Sequence, residues 1–484
     1  MSLQTALYTA KSALLTTATQ TQVTSRNIAG ASDPSYARRI TLVETLYDGG
    51  SRVAGIRSAT DLALQEADLA ATAQAGAESA LAAAFDRMHV VVGDPQSETS
   101  PAALVSALQG ALVQATAQPS NPLGAQGAVG AADTLARALN AATIATQTAR
   151  ADADRQIGDQ VARINALLAD FDRANTQVVR ANATGAPAND ALDRRNAILK
   201  ELSGYVGIAT LNGKNGDMSI YADGGATLYQ GGPRSVTMES TATFAAGVNG
   251  AAVYIDGVAV TGPTAGMALR AGSLAGLARA RDEAAPAFQS QLDEIARGLV
   301  VAFAESSPSA PDRTGLFAWS GGPSLPAVGA ATGLAGSIRI DPAVDPAAGG
   351  NALLLRDGGI GGAAYIANTT GAAGYSDRLS ALAQSLAAPQ TFDANAGLGS
   401  VATLAEYAAQ STGWIEARRQ SATQSSVQAQ ALSEQAGAAL SNAAGVNIDD
   451  QMAQMLQLER SFQAAAKLIA TIDQMYMSFF ESVR

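Results

Sequence analysis

The chain has 484 residues, 47% of them hydrophobic and 5% aromatic, and a formal net charge of −11; that length allows two to four domains with a substantial core. The acidic balance has no compensating Lys/Arg cluster, which disfavours nucleic-acid binding, and the absence of cysteine excludes disulfides and thiolate metal sites. No cationic segment leads into a continuous apolar run at the start, so no cleaved secretory signal is expected, and no apolar stretch approaches the ~18 residues of a membrane span.

In chain order, the first element is a helix with a strict 4-3 spacing: Leu3, Leu7, Ala10, Leu14, Thr17, Thr21, Thr24 and Ile28. Asn27-Ile28-Ala29-Gly30 reads as its stop, because Gly30 can take a positive φ. A turn at Asp33–Tyr36 leads into β-prone pieces, Arg39–Leu46 and Arg52–Ser58, around Asp48-Gly49-Gly50. Ala- and Leu-rich helices are predicted over Asp61–Val91 and Leu104–Gln118, broken at Asp94-Pro95 and Pro119–Pro122. A rod-like helix is expected from about Gln126 to Ala181, and a shorter one over Asp190–Leu202.

The pattern changes at Tyr205. Tyr205–Leu211, Met218–Tyr221, Ala226–Tyr229, Val253–Ile255 and Val258–Val260 read as strands between Gly-containing turns. Helix returns over Ser273–Glu305. A Gly/Pro-rich stretch, Ser306–Tyr375, offers Ser337–Ile340 and Leu353–Leu355 as strands, and helix is expected to resume near Asp377 and to dominate to the end.

The last stripe repeats the spacing of the first. Leu458, Phe462, Ala465, Ile469, Ile472, Tyr476, Phe479 and Val483 keep the 4-3 step, with Met452 and Met455 ahead of them. Between Met1 and Ser25 only Lys11 is charged, and between Ser461 and Phe480 only Lys467 and Asp473. Helices so poor in flanking charge need cover from other chains, so pairing of the two ends within an assembly is expected. The fold class expected is α+β: an elongated, discontinuous helical rod built from both chain ends, with inserted β-rich domains. Its parts are 1–45 with 446–484 as a terminal coiled coil, 46–203 with 273–305 and 376–445 as a helical rod, and 204–272 and 306–375 as insertions.

Chemistry is sparse. His89 is the single histidine, too few for an ordinary zinc site, and its apolar helical setting suits a structural role. Lys214 lacks the glycine spacing and the Ser/Thr of a phosphate loop. The acidic pairs Asp152/Asp154, Asp282/Glu283, Asp293/Glu294 and Asp449/Asp450 read as solvated faces and caps. No catalytic, cofactor or metal residue is assigned, and an enzyme is not expected.

Asn27-Ile28-Ala29-Gly30 with Asp33-Pro34-Ser35-Tyr36-Ala37-Arg38 resembles the N-terminal signature of the flagellar axial proteins, the rod, hook and hook-associated family. Gly30 and Ser35 depart from its usual Asn and Gly. Gly445-Val446-Asn447-Ile448-Asp449-Asp450, with Phe462-Gln463 through Lys467-Leu468-Ile469, is similar to its C-terminal block. Asn189–Leu202 and Gly272–Leu277 through Arg281-Asp282 resemble hook-associated protein 1, the FlgK subfamily.

The resemblance implies a structural adaptor joining hook to filament, polymerising through paired terminal helices and exported unfolded by the flagellar type III pathway without signal cleavage. It implies copies of itself in a ring, the hook protein, the second hook-associated junction protein, and a chaperone on the C-terminal helix as partners, and an extracellular place at the hook–filament junction. Leu3, Leu7, Leu14, Thr21, Ile28, Met452, Met455, Leu458, Phe462, Ile469, Ile472, Tyr476 and Phe479 are the expected assembly interface. Another axial protein, or a surface adhesin or coat protein, is the alternative.

Overall fold

The structure, a computed structural model, describes residues 3–33, 36–47, 49–92 and 97–482. Pro34, Ser35, Asp48, Val483 and the Asp94-Pro95 break therefore lie outside the described residues. Helix α1 (Leu3–Gly30) is followed by an antiparallel hairpin, β1 (Arg39–Thr45) and β2 (Ser51–Ser58), in which Arg39 stands opposite Ser58 and a bulge falls between Leu42 and Val43. Both strands pack on α1.

Four helices come next: α2 (Leu62–Val92), α3 (Pro101–Ala117), α4 (Pro122–Thr184) and α5 (Asn189–Tyr205). The Ser100 side chain caps α3 by accepting from the Ala103 N–H. The α4 helix is longer than expected at both ends. Pro122 sits in its first turn, where a missing N–H is no loss, the Asn121 side chain accepts from the Leu123 N–H, and Gly185 closes it at φ 71°. Its 63 residues make a rod of ~95 Å.

The first insertion holds two small antiparallel sheets. One is β3 (Ile208–Asn212), β4 (Met218–Ala222) and β5 (Thr227–Tyr229); the other is β6 (Val236–Met238), β7 (Val253–Ile255) and β8 (Val258–Ala259). Then α6 (Ser273–Arg279) passes through a π-helical turn, Ala280–Ala284, into α7 (Ala285–Ala302). The single helix expected over 273–305 is thus interrupted and ends early. Pro286 cannot donate to the preceding turn, and the widened turn absorbs the missing bond.

The second insertion contains β9 (Glu305–Ser307) paired with β10 (Ala310–Arg313), then β11 (Phe317–Ala318), helical turn α8 (Leu334–Ser337), and β12 (Arg339–Ile340), which pairs with β11. Only the last two residues of the expected strand Ser337–Ile340 pair in a sheet. Leu353–Leu355 is not a strand: Asn351 Oδ1 accepts from the Leu353 N–H and starts the turn α9 (Leu354–Asp357), which buries Leu355. After α10 (Asp377–Ala387) comes a short pair, β13 (Gln390–Thr391) with β14 (Val401–Ala402), and helix dominates from there on, as expected. Two long helices, α11 (Leu404–Ala444) and α12 (Ile448–Ser482), finish the chain. Thr403 and Glu406 form a reciprocal capping box at the start of α11.

Two apolar cores lie along α4. One joins its first half to α3, α7, α10 and α11; the other joins its second half to α5, α6 and the two sheets. A polar belt separates them. Arg281, fully buried, donates to Asp154 Oδ1 at 2.5 Å and to Asp282 Oδ2 at 2.8 Å, while Arg150 donates to the carbonyl oxygens of Arg281 and Val248 at 3.0 and 2.5 Å. Asp154 is therefore no solvated helix face. Nor are Asp293 and Glu294, both buried: Asp293 accepts from the Gly333 and Ala335 N–H groups, and Glu294 from Arg297 and the Asp393 N–H. These carboxylates fasten to α7 the loop at Gly333 and Ala335 and the loop at Asp393, where backbone donors would otherwise be buried without partners.

Candidate assembly interface

The two ends of the chain lie side by side, α1 along α12. On α12 the buried positions are Gln451, Leu458, Ala465 and Ile472, each seven residues from the last; on α1, Ala10, Thr17 and Thr24 repeat the same step. This is the heptad seam of a two-helix coiled coil. Leu7, Leu14, Thr21 and Ile28 flank it on α1 and are half-buried, as are Met455, Ile469 and Tyr476 on α12. Leu3 is exposed.

Four of the expected interface residues are exposed. Leu3, Met452, Phe462 and Phe479 are 39%, 51%, 41% and 58% exposed, and the three on α12, with Leu456, Leu468 and Met475, leave apolar surface that α1 does not cover. The seam begins at Gln451, seven residues ahead of Leu458, where the stripe in the sequence begins. A glutamine at a core position gives no apolar signal in a sequence, which is why the periodicity missed it.

Gln451 is there because of Asn27. The Asn27 Nδ2 donates to Gln451 Oε1 at 2.8 Å and to the Arg39 carbonyl at 3.0 Å, and its Oδ1 accepts from the Arg39 N–H at 2.8 Å and the Tyr36 hydroxyl at 3.0 Å. One 2%-exposed carboxamide thus completes strand-like pairing with Arg39 and links both terminal helices, with each of its polar atoms satisfied. Gly30 has a reason other than a positive φ. It lies in helical backbone, and a Cβ there would sit 2.7 Å from the Tyr36 ring, so the ring's close approach requires glycine.

Arg39 continues the network. Its guanidinium lies 4.9 Å from the Tyr36 ring centroid and pairs with Asp193 at 2.7 Å and Asp190 at 2.8 Å, both on α5. Burial pushes the Asp193 carboxyl up to about 6 against the pull of Arg39, and raises the Tyr36 hydroxyl as well. Arg38 is held by its backbone: its N–H donates to the Ala444 carbonyl at 2.8 Å and its carbonyl accepts from the Ala59 N–H at 2.7 Å.

At the start of α12 the capping side chain is Asn447, whose Oδ1 accepts from the Asp449 N–H at 2.9 Å and the Asp450 N–H at 3.3 Å. Asp449 and Asp450 themselves lie in the first turn, where their charge favours the helix N-terminus without capping it. Val446 is half-buried in the link before the cap, while Ala29, Gln463 and Lys467 are exposed. Pro34 lies outside the described residues.

Elsewhere, His89 Nε2 lies 3.1 Å from Glu416 Oε2 on α11, a bridge between two packed helices. Among the described residues no cluster of His, Asp and Glu could hold a metal ion, and no helix is long and apolar enough to cross a membrane.

The family described as the flagellar hook-associated protein FlgK helical domain matches residues 70–315, just over half the chain, and the flagellar basal body rod FlgEFG protein C-terminal family matches residues 439–478. Among solved structures, the flagellar hook junction protein FlgK from Burkholderia pseudomallei is similar at 23% identity with a TM-score of 0.43. That match covers 53% of this chain and 47% of the other, about half the length of each. No curated protein matches.

Proposed function

The chain belongs to the FlgK family of flagellar hook-associated proteins, and we propose from this that it is a structural adaptor joining the hook to the filament, polymerising through the α1–α12 pair. The observation that carries the reading is the uncovered face of α12. Met452, Phe462, Met475 and Phe479 remain exposed after α1 has filled the seam, and exposed apolar area of this kind marks a surface on which neighbouring chains pack. A closed ring of identical subunits would supply those neighbours.

In this reading the terminal helices form the assembly unit, the helices from α2 to α11 the rod, and the two β-containing stretches the insertions. The hook protein, the second junction protein and a chaperone on α12 are its partners, and the protein acts outside the cell, at the hook–filament junction. No group in the structure is given a catalytic role. Electron microscopy of cells lacking the protein tests the assignment: hooks present with filaments shed is the expected phenotype, and normal flagella would refute it.

A further inference from the structure

The chain holds three Asn-Gly steps, Asn212-Gly213, Asn215-Gly216 and Asn249-Gly250. At such a step the glycine nitrogen, with no Cβ beside it, can reach the carboxamide carbon of the preceding side chain wherever the backbone is free to bring the two together. The fold treats the three differently. The first two sit in the β3–β4 turn. There the Gly213 N–H donates to the Asp217 carbonyl at 2.7 Å, the Asn215 carbonyl accepts from Asn182 Nδ2 at 3.0 Å, and the Gly216 carbonyl accepts from Arg195 Nη1 at 2.7 Å. Asn215 is itself held at φ 54°. Asn249 lies exposed in the long link between β6 and β7, and among the described residues no protein acceptor takes the Gly250 N–H.

The neighbours of Asn249 give this step a consequence, because the link is fastened to the polar belt on both sides of it. Arg150 donates to the Ala245 and Val248 carbonyls at 3.3 and 2.5 Å, and Arg281 Nη2 to the Ala251 carbonyl at 2.8 Å. The Thr241 N–H donates to Asp154 Oδ2 at 2.9 Å, and the Ala251 N–H to Thr241 Oγ1 at 3.2 Å. Gly250 is pressed against the same belt: a Cβ there would run into the Arg281 guanidinium and the Asp282 carboxylate. Between the Val248 and Ala251 anchors there is no slack for a longer main chain.

We propose that Asn249 is the site of a spontaneous backbone modification that converts it to isoaspartate and releases the 239–252 link from Arg150 and Arg281. The Gly250 nitrogen bonds to Asn249 Cγ and gives its proton to solvent base; the Cγ–Nδ2 bond breaks, ammonia leaves, and a succinimide closes. Water then adds to the ring carbonyl that was the Asn249 main-chain carbonyl, and the bond from that carbon to the Gly250 nitrogen breaks. The former carbonyl becomes a free carboxylate, and the main chain now runs through Cβ and Cγ, one methylene longer. Lengthening the chain between anchored carbonyls displaces one of them and takes an acceptor from a buried guanidinium. The inference concerns the folded chain and does not depend on its place in the flagellum.

The test is ageing of the full chain in mildly alkaline buffer followed by peptide mass spectrometry, since trypsin puts the three steps in separate peptides, 201–214, 215–234 and 235–270. In folded protein 235–270 should convert at least tenfold faster than either of the others, and in urea the three rates should converge, because the difference lies in local opening. Labelling by isoaspartyl methyltransferase scores the product. Amide exchange at Thr241 and Ala251 should then rise at least tenfold in aged wild type and stay unchanged in aged Asn249→Gln. Equal conversion of the three peptides in folded protein, ordinary aspartate as the sole product, or conversion that leaves the Thr241 and Ala251 amides as protected as before would each overturn the proposal.

Discussion

Asn27 and Gln451 share a buried hydrogen bond of 2.8 Å across 424 residues of sequence. A polar pair inside an otherwise apolar or small-residue seam fixes which turn of one helix faces which turn of the other. Replacing Asn27 by Asp, its acidic isostere, removes the two hydrogens given to Gln451 and to the Arg39 carbonyl. The expected loss is about 1–3 kcal/mol in the stability of the α1–α12 pair, read as faster amide exchange along α1 and the first half of α12, with the helices from α2 to α11 unaffected.

Substitutions on α12 should separate pairing from polymerisation. Ile472→Asp buries a charge against α1 and is expected to disorder the helix pair in the monomer. Met475→Asp lies on the uncovered face, so it should leave the monomer's circular dichroism intact and still block incorporation into the axial structure. His89→Ala, far from either surface, should assemble normally. Incorporation of both aspartate variants at wild-type levels would contradict the assembly reading.

Arg281→Met removes the cation from between Asp154 and Asp282 while keeping most of the side-chain volume. Breaking a buried pair from one side leaves an uncompensated carboxylate, at a cost of about 3–5 kcal/mol. Denaturant unfolding of the variant should show that loss, and Arg281→Met combined with Asp154→Leu should recover part of it.

Asp293 gives the sign of a pH effect. Burial raises its carboxyl to about 6, outweighing the Gly333, Ala335 and Gln289 donors that favour the charged form. A group raised in the folded state contributes stability that is fully present below its unfolded value and lost as pH rises through about 6. The stability difference between the wild type and Asp293→Asn should therefore fall as pH is taken from 4 to 7, measured by urea midpoints. A difference independent of pH would refute the assignment.

Both terminal stripes were legible in the sequence because apolar residues at seven-residue steps have no other cheap explanation, and the hairpin turns of the first insertion were legible because Asn-Gly and Asp-Gly demand a left-handed backbone. What could not be seen were relations between distant polar groups. Gln451 looks like a surface residue until Asn27 is beside it, and Glu294 looks solvated until the loop carrying Asp393 folds over it. Short strands such as β13 and β14 were missed because two residues carry no period. Gly276 is similar: its Cβ would meet the Ala77 carbonyl at 2.1 Å, a helix crossing that only the assembled fold reveals.

The belt around Arg281 also divides α4 into two lengths with different neighbours. Opening of one core need not propagate through a helix whose middle is anchored by charge and not by interleaved apolar side chains. Along this single helix, amides near Leu135 and amides near Ile164 should exchange with separate free energies of opening. One continuous rod would then serve two independently yielding units.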